Sequence, residues 1–321
     1  MQYRTLGRTN LKISDVGYGA WGIGKSQWIG ADDRESLASL KAARDHGVNF
    51  FDTALAYGDG HSEKLISQAF GKDREVIVAS KIPPINRVWG IGPGSPIQET
   101  FPKKYVLECL DESLSNLGRD QIDLMQFHTW IDDWATDAEW LSTVEKMKKS
   151  GKVRFIGISV QSHLPNMVLK GIATGQVDSI QVIHNIFDQS PEDQLFPACE
   201  KHNIGVIVRV PFDEGALTGK ITPDTQFPEG DFRHFYFSGD RKQEVWEHVQ
   251  AISEDLNIDI AELPEYALRY CLSFPAVSTV IPGMRNARHV QSNAAASDKG
   301  PLSPDIVRKL HAHRWTRNYW Q

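Results

Sequence analysis

Short apolar, β-branched runs recur along the chain and alternate with segments whose apolar residues fall at helical spacing. The runs are ISDVGYGA (13–20), VNFFDT (48–53), EVIVASK (75–81), IDLMQFH (122–128), FIGIS (155–159), SIQVIHN (179–185), GVIVRV (205–210) and VSTVIPG (277–283). Between two of them, DRESLASLKAARDHG places apolar residues at i, i+3 and i+4 and closes on Gly47. KYVLECLDESLSNLG and AEWLSTVEKMKKSG repeat the pattern and stop at Gly118 and Gly151. Glycine is a common helix stop because it adopts left-handed backbone at little cost. Eight strand-then-helix units predict an α/β fold, a (β/α)8 TIM barrel, since parallel strands need crossover helices and a closed sheet leaves no edge. The competing arrangement is an open doubly wound sheet, but the first strand does not run into a GxGxxG turn that opens a helix. No composition break marks a second domain, so one domain over residues 1–321 is expected. Two long connections, 82–104 and 211–240, should hang over the barrel mouth, where loops of that length usually serve function.

Polar residues fall at or near the strand ends: Asp52, Lys81, His128, Ser159, Asn185 and Arg209. In a barrel all strand ends face one mouth, so these residues converge there. The stretch FFDTALAYGDGHSE finishes an apolar run on Asp52 and hangs Tyr57 just beyond it. A free tyrosine keeps its proton to about pH 10, and a nearby ammonium lowers that value. Lys81 can supply the ammonium, Asp52 can keep it ionised, and His128 can hydrogen-bond a substrate oxygen. The set suits proton transfer to or from a carbonyl or alcohol oxygen. Singly, each has a plainer explanation: Asp52 a cap or ion-pair partner, Tyr57 a loop aromatic, Lys81 a solvated charge, His128 a satisfied core histidine. Jointly, complementary groups at three consecutive strand ends favour chemistry.

Composition narrows the classes. Over 321 residues, 40% hydrophobic and 24% charged content describe a globular protein with an ample core. A net charge of −6 and a pI near 6.0 give no footprint for nucleic acid. The polar N-terminus MQYRTLGRTNLKIS lacks a signal-peptide core, and no apolar run approaches the roughly 18 residues of a membrane span, so a cytoplasmic protein is expected. Cys109, Cys199 and Cys271 are far apart and read as buried thiols. The glycine-rich WGIGPGS (89–95) lacks the strand and helix of a phosphate cradle. His311 and His313 in HAHRW lack further ligands at suitable spacing, so no metal site is expected. Trp21, Trp89 and Trp130, with Tyr57, could wall a substrate pocket, and Arg87 and Arg233 could recognise an anionic group.

These blocks together resemble the aldo-keto reductase superfamily of NADP(H)-dependent barrel oxidoreductases. LGRTNLKISDVGYGAWGIG is similar to that family's opening segment, and FFDTALAYGDGHSEKLISQAF to its Asp…Tyr signature. EVIVASK, IDLMQFHTW, GKVRFIGIS, VPFDEGALTGK and IPGMRNARHVQSNAAA follow in the family's order, from about residue 3 to 298. The resemblance implies Tyr57 as general acid/base, Lys81 as the group lowering its pKa, Asp52 as partner of Lys81, and His128 as the group orienting the carbonyl. It implies NADP(H) as cofactor, held along Gly22, Ser159, Gln181, Arg209, Pro211, Gly215, Leu217, Lys220, Gly283, Arg285, Arg288, His289 and Asn293. Ser159 and Gln181 would take the carboxamide, Arg285 and Arg288 the adenosine 2′-phosphate at a helix N-terminus, and Asn293 the adenine. Amides of Gly215 and Leu217 with the Lys220 ammonium would take the pyrophosphate. Departures fall at Val160, where members commonly carry Asn, at Arg209, where many carry an aromatic stacked on the nicotinamide, and at Gly283, Met284 and His289. Arg209 could stack and disfavour the cationic oxidised ring, reach an anionic substrate group, or pair with Asp213 or Glu214. The implied partner is a small-molecule carbonyl or alcohol, and the implied state a monomer or homodimer. Two rivals remain: a cofactor-sensing subunit of a larger assembly, and a redox-neutral lyase or isomerase.

Overall fold

A computed structural model describes residues 1–316; the end of the expected domain, 317–321, lies outside the described residues. β1 (Tyr3–Thr5) and β2 (Lys12–Ser14) form an antiparallel hairpin. β3 (Tyr18–Gly19), β4 (Phe50–Asp52), β5 (Ile77–Ile82), β6 (Ile122–Phe127), β7 (Val153–Ser159), β8 (Ser179–Ile183), β9 (Gly205–Arg209) and β10 (Val277–Val280) follow as one parallel sheet in sequence order. Bridges Val16↔Val280 and Gly19↔Gly283 join the first strand to the last. The Gly17 amide donates to the Val280 carbonyl at 2.8 Å, and the Val280 amide to Asp15 at 2.9 Å. The fold is a (β/α)8 barrel, not an open sheet.

Helices follow the strands: α1 (Asp33–Asp45), α2 (His61–Phe70), α3 (Lys103–Leu117), α4 (Ala138–Lys149), α5 (Leu169–Ala173), α6 (Leu195–His202), α7 (Phe232–Tyr236), α8 (Arg241–Leu256), α9 (Leu263–Leu272), α10 (Ala287–Lys299) and α11 (Pro304–His311), with the short α7 lying in the 211–240 connection. Their starts are local chemistry: the Asp32 side chain accepts the Glu35 amide, and Asp137 accepts those of Glu139 and Trp140. α3 stops where its sequence predicts, at Gly118 in left-handed backbone.

The first predicted strand, 13–20, is a correction. Its front half pairs with β1 in the hairpin, and the barrel keeps only Tyr18–Gly19. The seam is too tight for side chains: a Cβ on Gly19 would lie 2.5 Å from the Ile281 carbonyl oxygen.

Side chains alternate inward and outward along each strand. Inward Phe50, Ile77, Ala79, Leu124, Ile207 and Ile281 pack with Leu6, Leu11 and Ile13 of the hairpin region, which plugs the bottom of the barrel. Outward Val78, Met125, Ile156, Val206 and Val208 join the larger core under the helices. At about 1.5–3 kcal/mol for each fully buried large apolar side chain, these two layers hold the strands in register. Two residues beyond the last inward apolar layer come Asp52, Lys81, Gln126 and Arg209. The same alternation that fills the floor delivers the polar top.

Candidate active site

Lys81 is fully buried at the end of β5 and all three of its ammonium donors are placed. They reach Asp52 Oδ2 at 2.5 Å, the Thr53 carbonyl at 2.8 Å and the Tyr57 hydroxyl at 3.1 Å. The second Asp52 oxygen accepts from Gln126 Nε2 at 3.1 Å and Gln181 Nε2 at 2.7 Å, across the barrel. Burial works against the Lys81 charge, but Asp52 and Tyr57 outweigh it and leave its pKa above the ordinary value. The turn after β4 aims Tyr57: its amide donates to the Ala54 carbonyl at 3.0 Å, and the Leu55 amide reaches back to Lys81 at 3.3 Å.

Lys81 acts on the phenol in the expected direction, but it does not set the net shift. Burial pushes the Tyr57 pKa up; Lys81 pulls it down, and Asp52 partly cancels Lys81, so the net shift is upward. Tyr57 therefore stands as a neutral phenol, poised to donate. His128 faces it with ring centroids 5.8 Å apart and meets Trp89 at 4.6 Å. Burial, then Lys81, Arg209 and Arg87, holds its imidazole well below the usual range, so His128 is neutral. Trp21 lies 6.4 Å from Tyr57 and packs edge-on to Trp28 and Phe232.

On the far side, Ser159 pairs in register with Gln181, and both side chains are buried. Arg209 reaches from β9 to the Val160 carbonyl at 3.0 Å. Past β10, Asn286 caps α10 by accepting the His289 amide, and Asn293 Nδ2 lies 3.4 Å from the Gly283 carbonyl. Arg285 lies over Trp28 at 5.6 Å, and a Cβ on Gly22 would come 3.1 Å from its stem, so glycine leaves room for that side chain. Burial lowers the His289 pKa, and Lys220, Arg288 and Arg285 lower it further. Among the described residues none of Lys220, Arg285 and Arg288 forms an ion pair. Three cations without ion-pair partners near the start of α10 suit the phosphates of a dinucleotide.

Residues 15–314 match the family described as the Aldo/keto reductase family. The chain belongs to that family. It is 31% identical over 314 residues to the uncharacterized oxidoreductase YqkF of Bacillus subtilis, covering 98% of this chain and 96% of that one. It is 30% identical over 332 positions to a probable voltage-gated potassium channel subunit beta of Arabidopsis thaliana, covering 96% and 94%. Among solved structures, the holo form of aldo-keto reductase AKR11C1 from Bacillus halodurans matches with a TM-score of 0.77 and 28% identity, over 100% of this chain and 99% of that one. An aldo/keto reductase is an oxidoreductase that works with a nicotinamide cofactor.

Several aldo/keto reductase expectations meet a different local geometry. Trp130 is wholly buried against Phe127, Trp134 and Trp140, beneath the loops, so it does not wall the pocket. The amides of Gly215 and Leu217 both donate to the Phe212 carbonyl at 3.0 Å, so the loop after β9 spends them on itself and leaves Lys220 exposed. Pro211 starts that loop in the core, and the Leu217 side chain is buried beneath it. Arg209 does not pair with Asp213, which takes Arg241 at 2.5 Å and the Tyr236 hydroxyl at 2.6 Å. Asn185 shapes its own loop, accepting the Phe187 and Asp188 amides and donating to Val210. Arg87 pairs with Asp59, and Arg233 with Asp231.

The two long connections are laced down. In 82–104 the Gly94 amide donates to the Asp133 carboxylate at 2.7 Å and the Ile91 amide to Gln161 at 3.1 Å. An acid on that glycine run is the opposite of what a phosphate needs. The segment 211–240 contains α7, and its Phe232 amide donates to Gln27 at 2.8 Å. His311 and His313 pair with different acids, Glu192 and Asp255. The three cysteines are free and buried, and no described helix is long and apolar enough to cross a membrane. Gln126 and Thr53 escaped sequence reasoning; Gln126 lies between inward Leu124 and His128, so period-two counting would have found it.

Proposed function

We propose that the protein acts along its whole length as one NADP(H)-dependent aldo/keto reductase, reducing an aldehyde or ketone, sugar-like compounds included, to the alcohol and running the reverse oxidation. The observation that carries this reading is the buried Lys81 ammonium bridging the Asp52 carboxylate at 2.5 Å and the Tyr57 hydroxyl at 3.1 Å.

A nicotinamide held beside Ser159 and Gln181 would supply the hydride that the carbonyl carbon receives. Tyr57 donates its proton to the carbonyl oxygen as negative charge grows there, the transfer a positioned neutral phenol can make. The phenolate left behind would be costly in a buried site without the Lys81 ammonium beside it. Asp52, held by Gln126 and Gln181, fixes that ammonium in place. Neutral His128 offers a hydrogen bond to the substrate oxygen without adding a charge. Trp21 and Trp89 provide aromatic walls that exclude water. Lys220, Arg285 and Arg288 favour a cofactor carrying the extra adenosine phosphate, hence NADP(H) over NAD(H).

Purified protein mixed with NADPH and a panel of aldehydes should consume the reduced cofactor, followed by its absorbance, and Tyr57→Phe should cut the rate at least 100-fold, the loss of a positioned general acid. Unchanged turnover in Tyr57→Phe would remove the assigned role. The similarity to a potassium channel subunit beta supports a second reading, a cofactor-sensing subunit. Tight NADPH binding with no turnover on any carbonyl would favour it, and no binding at all would favour a redox-neutral lyase or isomerase.

A further inference from the structure

Arg209 ends β9 and crosses the end of β8 to reach β7. Its Nη2 donates to the Val160 carbonyl at 3.0 Å and lies 3.4 Å from the Ser162 hydroxyl. Among the described residues no carboxylate forms an ion pair with it, and its Nε is buried with no hydrogen-bond partner. Tyr57, Glu214, Asp188 and Asp52 act on it only through space. A guanidinium keeps its charge in any protein setting. A permanent, tethered cation with an unmet donor therefore stands beside the Ser159–Gln181 shelf, on the same rim as Tyr57.

We infer that Arg209 lies against the nicotinamide ring and sets which redox form of the dinucleotide the protein holds. The inference rests on the nicotinamide reading above. The reduced ring is neutral; giving up a hydride, two electrons with one proton, to the carbonyl carbon leaves one positive charge on the ring. The matching negative charge on the substrate oxygen is quenched by the Tyr57 proton. A fixed cation facing the ring repels the oxidised form and leaves the reduced form untouched. The Val160 tether holds the guanidinium in place, and no carboxylate sits on it as an ion-pair partner among the described residues. An aromatic side chain at this place, common in the family, would carry no such charge. Two consequences follow. In a mixed pool the protein loads NADPH and releases NADP+ readily. Hydride donation itself slows, because positive charge grows on the ring in front of a cation.

The test is a binding titration, followed by protein fluorescence and calorimetry, of NADPH and NADP+ against wild type, Arg209→Gln, Arg209→Tyr and Arg209→Lys. Wild type should bind NADPH at least about tenfold more tightly than NADP+. The ratio should fall about tenfold in Arg209→Gln and Arg209→Tyr, and stay within about threefold in Arg209→Lys, which keeps the charge. For a two-electron couple, tenfold corresponds to about 30 mV in the potential of the bound cofactor. An unchanged ratio in an Arg209→Gln protein that melts like wild type overturns the inference. So does an unchanged ratio accompanied by lost affinity for glyoxylate, which would make Arg209 a receptor for a substrate carboxylate. If wild type binds neither form, the nicotinamide reading fails and this inference with it; if both bind at an unmoved ratio, this inference alone falls.

Discussion

Replacing Lys81 by Met removes the ammonium and leaves Asp52, 2% exposed, with Gln126 and Gln181 as neutral donors. Breaking a buried pair from one side costs about 3–5 kcal/mol, because the surviving charge keeps its desolvation penalty. At roughly 2 °C per kcal/mol for a chain of this size, the melting temperature should fall by about 6–10 °C. The chemical loss has its own scale. A phenolate oxygen 3.1 Å from an ammonium gains about 5 kcal/mol at an effective dielectric of about 20, an upper bound once solvent and relaxation respond. Positioned general acids contribute about 10²- to 10⁴-fold, or about 3–5 kcal/mol, which agrees. The double variant Lys81→Met/Asp52→Asn removes both charges. It should recover most of the lost stability and none of the lost kcat/KM. Thermal melts and steady-state rates on the single and double variants make the comparison. A double variant as unstable as Lys81→Met would show that the pair is not held by charge. A Lys81→Met enzyme within tenfold of wild type, alongside an inactive Tyr57→Phe, would show that the phenol does not depend on the ammonium.

His128 is held well below the usual histidine range by burial and by the Lys81, Arg209 and Arg87 charges, so kcat/KM for reduction should stay flat from about pH 8 to about pH 6. A fall centred near the ordinary histidine value of about 6.5 would refute the neutral imidazole. The same depression means that the unfolded chain takes up the proton first; the stability is present above about pH 6.5 and lost as pH falls below it, a loss that His128→Gln should lessen in acid melts. Glu214 is pushed up to about 8 by burial and by Asp213, with Arg209 and Arg233 pulling it back. The folded chain holds that proton more tightly, so this stability is present in acid and lost as pH rises through 8; Glu214→Gln should raise the melting temperature more at about pH 9 than at about pH 5, and equal gains would refute the shift.

The barrel was legible because its two periodicities are written in residue types: β-branched runs for strands, i/i+3/i+4 apolar spacing for helices, and glycine stops between them. Asp52, Lys81 and His128 were legible together because complementary polar groups end three consecutive apolar runs, which a barrel brings to one mouth. Other features depended on distances that no linear pattern carries. ISDVGYGA looks like one strand, yet the close approach of Gly19 to Ile281 is a tertiary fact that gives its halves to different sheets. Trp130 sits in the chain like a mouth aromatic, and only its packing on Trp134 and Trp140 shows that it is core. The phenol's net upward shift is not legible in the chain, because residue types reveal the downward pull of Lys81 but not the burial that outweighs it. The loop amides of Gly215 and Leu217 follow the same rule: glycine content marks a turn, and the turn decides who receives its hydrogen bonds.

Charge placement links the two ends of the site. The chain carries −6 overall, and Lys81 is neutralised by Asp52, yet Lys220, Arg285, Arg288 and Arg209 form no ion pairs among the described residues. Under the proposed function these cations meet two different parts of one ligand. At the α10 end that ligand is read as phosphate, whose charge is present in every redox state, so Lys220 and Arg288 act on affinity alone. At Arg209 the ligand is read as a ring charged only when oxidised, so the same kind of side chain acts on the difference between two forms. Exposed Lys220 and Arg288 are screened by salt over about 10 Å at 0.1 M, whereas the half-buried Arg209 is screened less. Raising ionic strength should thus weaken both cofactor forms together and leave their ratio in place, which separates the two roles without a mutation.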